Sequence, residues 1–225
     1  MADGTAQLPD VVGLCRRFER LYTGAISDVL DEMGHRHQVL PAAIAPLSPG
    51  PRLAGAALTV LGERTGSDDP EVVFVPYLRM LGDVRPGHVI VSQPNDHAIA
   101  HFGELSAETA RHRGGRGAVI DGGCRDVEHI LALGFPVFCR YVTPQDIAGR
   151  WRLVGHNVPI RVGEVDVHPG DFVVGDRDGV LVVPRALTLE VLRRAEEVAA
   201  TEDLVRKAVL DGVHPVDAYR RFARF

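Results

Sequence analysis

Arg125 and Asp126, in the stretch GAVIDGGCRDVEH, form the pair best suited to chemistry. Arginine offers a planar fork for a carboxylate or enolate oxygen, and aspartate offers a hard oxygen ligand for Mg²⁺ or Mn²⁺. The plainer reading is a surface ion pair or a helix N-cap, since Asp126 precedes a helical segment. On the residues alone that plainer reading is the stronger. Position weakens it. GAVID (117–121) has the continuous apolar texture of a parallel strand, and the loop after such a strand is where open α/β sheets bind ligands. Gly122 and Gly123 let the backbone approach a substrate closely. Upstream, Gly103-Glu104-Leu105-Ser106 opens a helical segment, with Glu104 21 positions before Arg125. A helix, a loop and a strand can bring that helix start beside Arg125, where free amides of Leu105 and Ser106 would offer an anion site. Glu104 is equally explained as a complement to the helix dipole.

Two other patterns carry less. RGGRG (113–117) lacks the Lys-Ser/Thr of a P-loop and the GxGxxG order of a dinucleotide fold, and it precedes a strand. A helix C-cap and turn is the better reading. His97 and His101 are four apart, a zinc-like spacing on a helix, but the central Glu and third ligand of HExxH are absent. An ordinary histidine pair is preferred.

These residues need elements to hold them. Residues 10–34 read as two helices, the second starting near Thr23. LAGAALTVLG (53–62) reads as a strand, 62–72 as a polar loop, and VVFVPYLRML as a strand or short helix. PGHVIVSQP suits a buried strand. Residues 98–113 read as a helix whose start lies near Phe102-Gly103. VEHILAL reads as a helix stopped by Gly134, and FPVFCRYV as another strand. The order from 98 to 142 is a βαβ-type pattern. Short β runs between turns make 158–184 a local meander, and Thr188–Asp211 is a long amphipathic helix ending at Gly212. With no repeat or low-complexity linker, the expectation is one compact α/β domain over 1–225.

Composition bounds the function. Of 225 residues, 45% are hydrophobic and 24% charged, which excludes a mostly disordered chain. The formal net charge of -5 gives no broad electrostatic reason to bind nucleic acid. No apolar run approaches the roughly 18 residues of a membrane span, so no membrane is expected. Cys15, Cys124 and Cys139 are widely spaced without a CxxC pair, which suits a reducing, cytoplasmic setting.

GELSAETA, with twenty residues between its Glu104 and Arg125-Asp126, resembles the acidic-x20-Arg-Asp signature of the 4-hydroxy-4-methyl-2-oxoglutarate aldolase family. That family also contains regulator of ribonuclease activity A, and some members carry the misleading label dimethylmenaquinone methyltransferase. ISDVLDEMG, PRLAGAALTV, PGHVIVSQ, VIDGGCRD and NVPIRVGEVDVHPGDFVVGDRDGVLVVP resemble family segments in the family's order. The resemblance implies a swivelling β/β/α sandwich, assembled as a homotrimer or a hexamer of two trimers with active sites between subunits. It implies a divalent-metal pyruvate aldolase acting on a small 2-oxo acid with Mg²⁺ or Mn²⁺. By position, Asp126 is the metal ligand and Arg125 binds the keto-acid oxygen. Glu104, where the family often has Asp, holds metal-bound water. Gly103 opens the helix whose Leu105 and Ser106 amides hold the carboxylate. A glutamate from the neighbouring subunit's C-terminal helix completes the shell, with Glu202 the best match and Glu197 its rival. Lysine is scarce, with Lys207 in the terminal helix, which disfavours a Schiff-base aldolase. The competing expectation is a non-catalytic regulator that binds a ribonuclease or another protein. A methyltransferase comes third, without a recognisable cofactor loop.

Overall fold

The computed structural model describes Leu8 and residues 10–224. Helices α1 (Val11–Phe18) and α2 (Thr23–Glu32) precede β1 (Ala45–Pro46) and the long strand β2 (Leu53–Arg64). Two short helices, α3 (Pro70–Val73) and α4 (Val75–Gly82), lead into β3 (His88–Gln93), β4 (Ala100–Phe102) and α5 (Glu104–His112). Then come β5 (Gly117–Cys124), α6 (Val127–Leu133) and β6 (Val137–Val142). Strands β7 (Trp151–His156), β8 (Ile160–Val162), β9 (Val165–Val167), β10 (Phe172–Asp176) and β11 (Gly179–Val183) precede α7 (Thr188–Leu210) and α8 (Pro215–Phe222).

Among the described residues nine strands form one sheet, in the order β1-β6-β5-β3-β2-β10-β11, with β4 beside β5 and β7 beside β2. The β2–β3, β3–β5 and β5–β6 pairs are parallel, and the pairs of β10 with β2 and β11 are antiparallel. Parallel neighbours need crossovers, and α5 and α6 supply two of them. The β5–β6 register shifts between Ile120 and Gly123, just before Arg125.

Period-two alternation sorts the apolar residues onto two faces. Leu58, Val60, Ile90, Ala118 and Ile120 face outward under α4, α5 and α6. Ala57, Val89, Val91 and Val119 face the other way, into a core closed by the β8–β9 hairpin and by Val173, Val180 and Val182. On the far side of β10 and β11, Phe172, Val174, Leu181 and Val183 are covered by α1, α2 and α7. The α/β sandwich with N-terminal helices and a long C-terminal helix is therefore as expected.

Three segments settle the alternatives or adjust the boundaries expected from the sequence. Residues 70–82 are helical: Asp69 caps α3 through the Glu71 amide at 3.0 Å, and prolines occupy the first turns of both α3 and α4. Within 98–113 the helix starts at Glu104 with Gly103 as its N-cap, beside the expected start at Phe102-Gly103, and Ala100–Phe102 ahead of it is extended against β5. RGGRG does form a helix end and turn: the Gly115 amide returns to the Ala110 carbonyl at 2.8 Å, and Gly114 has φ +86°.

Candidate active site

Four features of the local chain bring the expected residues together. Strand β5 ends at Cys124 and hands Arg125 to the loop, where its amide donates to the Phe102 carbonyl at 2.9 Å. That bond ties the end of β5 to the segment leading into α5. Gly103 then allows close packing: a Cβ there would lie 2.6 Å from Asp126 Oδ2 and 3.2 Å from Arg125 Cγ. Gly123 is equally crowded, because a Cβ would meet the Ile99 carbonyl at 2.4 Å. Helices α5 and α6 thus both start at one cavity of about 330 Å³.

Gly103, Glu104, Leu105, Ser106, Arg125 and Asp126 all line this cavity. Asp126 Oδ2 accepts the Glu104 amide at 3.2 Å and lies 3.5 Å from Arg125 Nε. The amides of Leu105 and Ser106 fall in the first turn of α5, where a helix leaves N–H groups without intrahelical acceptors. Arg125 and Asp126 are both part-exposed, at 37% and 39% of their side chains, so both can meet a ligand. Asp121, the other acidic residue of VIDGGCRD, is buried and pairs with Arg140. Glu202 is absent from the cavity wall. It lies on α7 beside Val205, Arg206, Val209 and Leu210, while Glu197 pairs with Arg193 at 2.6 Å.

Three cavity residues escape sequence reasoning. Asp146 Oδ1 lies 3.3 Å from Arg125 Nη1. His129 Nδ1 lies 3.6 Å from Glu104 Oε1. The Tyr77 hydroxyl donates to the His101 carbonyl at 3.1 Å and sits 3.0 Å from Ser106 Oγ. Burial pushes the Tyr77 hydroxyl up to about 12, so it remains a proton donor. A tyrosine within an apolar segment, a histidine on a short, mostly apolar helix and an aspartate in a loop bear no local mark of a site.

His97 and His101 do not share a helix face. His97 is exposed in a turn, whereas His101 lies on β4, buried against Trp151 with ring centroids 5.3 Å apart. His101 Nδ1 accepts the Gly123 amide at 3.3 Å, which places any ring proton on Nε2, facing Asp96 Oδ2 at 3.4 Å. Burial lowers His101 to about 4, although Asp96 opposes this. Burial also works against the Asp96 charge, but the amides of Ala98 and Ile99 and the Arg64 guanidinium hold its carboxyl below the usual range.

The cavity donors suit a hard cation. Asp126 Oδ1 has no hydrogen-bond partner among the described residues, and Glu104 adds a second carboxylate nearby. Among those residues no three His, Cys, Asp or Glu side chains converge to hold a metal within one protomer. Two carboxylates with open positions fit an ion such as Mg²⁺, which retains several waters.

Residues 23–182 match the family model for RraA-like proteins, described as Aldolase/RraA. A curated relative from Halalkalibacterium halodurans bears the provisional name of a 4-hydroxy-4-methyl-2-oxoglutarate aldolase. It is 33% identical over 90% of this chain and 91% of its own. A solved structure described as one of novel cellulases from gut-associated microbes is 35% identical, covers 90% of each chain and superposes with a TM-score of 0.83. The RraAS2 protein of Streptomyces coelicolor is described as an unusual member of the RNase ES inhibitor RraA protein family. It is 28% identical over 89% of this chain and 98% of its own, with a TM-score of 0.78.

Proposed function

The chain belongs to the RraA-like family, and we propose that within it this protein is a single-domain, divalent-metal pyruvate aldolase. It cleaves a 4-hydroxy-2-oxo acid, such as 4-hydroxy-4-methyl-2-oxoglutarate, to pyruvate and a carbonyl product. The observation that carries this reading is the convergence of Arg125, Asp126, Glu104 and the first turn of α5 on one cavity.

Asp126 would hold Mg²⁺ or Mn²⁺ directly and Glu104 would hold it through water. When bound, the cation supplies electrophilic polarisation of the 2-oxo oxygen. The remaining steps fall to the chain. The amides of Leu105 and Ser106 receive the substrate carboxylate, aided by the α5 dipole. Arg125 donates to the 2-oxo oxygen. Glu104 orients the water that takes the 4-hydroxyl proton. The electron pair of that O–H bond becomes the new carbonyl as the C3–C4 bond breaks. The bond's own electrons form pyruvate enolate, whose oxygen Arg125 stabilises. A proton returned to C3 gives pyruvate. Loss of CO₂ from oxaloacetate leaves the same enolate, so oxaloacetate decarboxylation is the expected side activity. The only lysine in the chain, Lys207, lies on α7 outside the cavity, which speaks against Schiff-base chemistry. In a homotrimer or hexamer, Glu202 of a neighbouring subunit would complete the cation's shell.

The test is pyruvate release from a panel of 4-hydroxy-2-oxo acids and oxaloacetate, with EDTA, Mg²⁺ or Mn²⁺. Metal-dependent release supports the reading, and equal rates in EDTA remove the mechanism. Likeness to the Streptomyces protein, a member of an RNase inhibitor family, favours one second reading, a regulator that binds a ribonuclease. No turnover across the panel, with tight binding to such an enzyme, would put that reading first.

A further inference from the structure

Arg125 has a partner that no acidic-x20-Arg-Asp pattern contains. Asp146 lies in the loop after β6, 21 positions beyond Arg125, and its Oδ1 meets Arg125 Nη1 at 3.3 Å. On the other edge of the guanidinium, Nε faces Asp126 Oδ2 at 3.5 Å. The two carboxylates therefore hold the guanidinium from two directions.

The loop carrying Asp146 is itself fixed. The same Oδ1 accepts the Ile147 amide at 2.7 Å, and Ile147 is buried in the core with Trp151. The Trp151 amide returns to the Ile147 carbonyl at 3.0 Å, and the Ala100 amide donates to the Gln145 carbonyl at 2.9 Å. The last bond anchors the loop to β4, just ahead of Gly103. A long, part-exposed arginine otherwise samples many rotamers, and fixing it before substrate arrives removes that entropy from the reaction.

We propose that Asp146 is the positioning residue of Arg125, holding its fork in the orientation that meets the oxo acid. This rests on the aldolase reading. The experiment compares purified wild type with Asp146→Ala, Asp146→Asn and Asp146→Glu in oxaloacetate decarboxylation and 4-hydroxy-2-oxo acid cleavage. Asp146→Ala should lower kcat for both reactions by about tenfold or more, with a smaller change in KM. Asp146→Glu should recover part of the loss. Asp146→Asn keeps an acceptor for the Ile147 amide but not the charge, so it carries the test if the alanine variant fails to fold. In an Arg125→Lys background, Asp146→Ala should add less than about twofold, because the two residues act as one unit. A rate for Asp146→Ala within about twofold of wild type, while Arg125→Ala loses turnover, overturns the proposal and leaves the aldolase reading standing. So does a full further loss in the Arg125→Lys background. A wild type inactive across the whole panel overturns both.

Discussion

Asp10 and Asp126 occupy the same local position and do different work. Each is the N-cap residue of a helix, and each has a left-handed backbone, with φ of 42° and 56°. Asp10 turns onto its own helix and accepts the Gly13 amide at 3.0 Å. Asp126 makes no such bond to α6 and reaches across to the first amide of α5. Both conformations are uncommon for residues other than glycine. Only at Asp10 does the side chain return helix stability. An aspartate in a cap position is therefore no proof of capping. What matters is whether its carboxylate serves the helix that follows.

The strongest way to break this contrast is at the cavity. Asp126→Ala should abolish pyruvate release, and Arg125→Ala should lower it by roughly 10²–10³. Arg125→Lys should not restore it, because an ammonium lacks the planar fork. Coupled pyruvate assays on both substrates would read these losses. Normal turnover in either alanine variant would return Arg125-Asp126 to a surface ion pair.

Gly103→Ala sharpens the comparison without removing a functional group. Its φ of -149° suits any residue, so the fold should hold, but the new Cβ crowds Asp126. Turnover should fall about tenfold, by displacement of reacting groups, with little change in the denaturation midpoint.

Acid probes a wall of the cavity through His101. The folded state keeps His101 neutral down to about pH 4, whereas the unfolded chain takes up that proton near its ordinary value of 6.5. The unfolded state therefore binds more protons across that window, and stability falls as pH drops through it. Thermal melts between pH 7 and 4 should show this decline, and His101→Asn should lessen it, the remainder including half-buried His88, whose pKa burial also lowers.

The smallest effect belongs to α1. Asp10→Ala should cost about 1 kcal/mol of stability through the lost cap and leave turnover unchanged. Asp126→Ala should cost less stability than that by urea titration, because it has no cap bond to lose. Equal costs would erase the distinction between the two aspartates.

The same physics explains what can be read from the sequence. Continuous apolar runs mark β3, β5 and β6, and the acidic-x20-Arg-Asp spacing marks the start of α5 and the end of β5. Strand β7 escapes detection although Trp151 and Leu153 alternate with more exposed residues, because its signal is short and ends in a polar turn. Helix α8 escapes it because Ala218 is its sole buried residue among those described. Asp146 is invisible because only the return of β6 along β5 sets its loop beside Arg125. Spacing along the chain reveals groups carried by adjacent elements, but not a partner supplied by a third.

The slip in register between β5 and β6 has a consequence for how such a site can change. Ahead of it, Ala118, Val119 and Ile120 are locked in ladder against Val137, Phe138 and Cys139. Beyond it, Gly123 and Cys124 follow a new alignment, and Arg125 leaves the sheet. Because the pairing is already interrupted, loop residues beyond Cys124 can be exchanged or lengthened without dragging the inner strand out of phase. The sheet behaves as a chassis with a detachable rim, on which substitutions in the rim retune the ligand while the frame beneath keeps its shape.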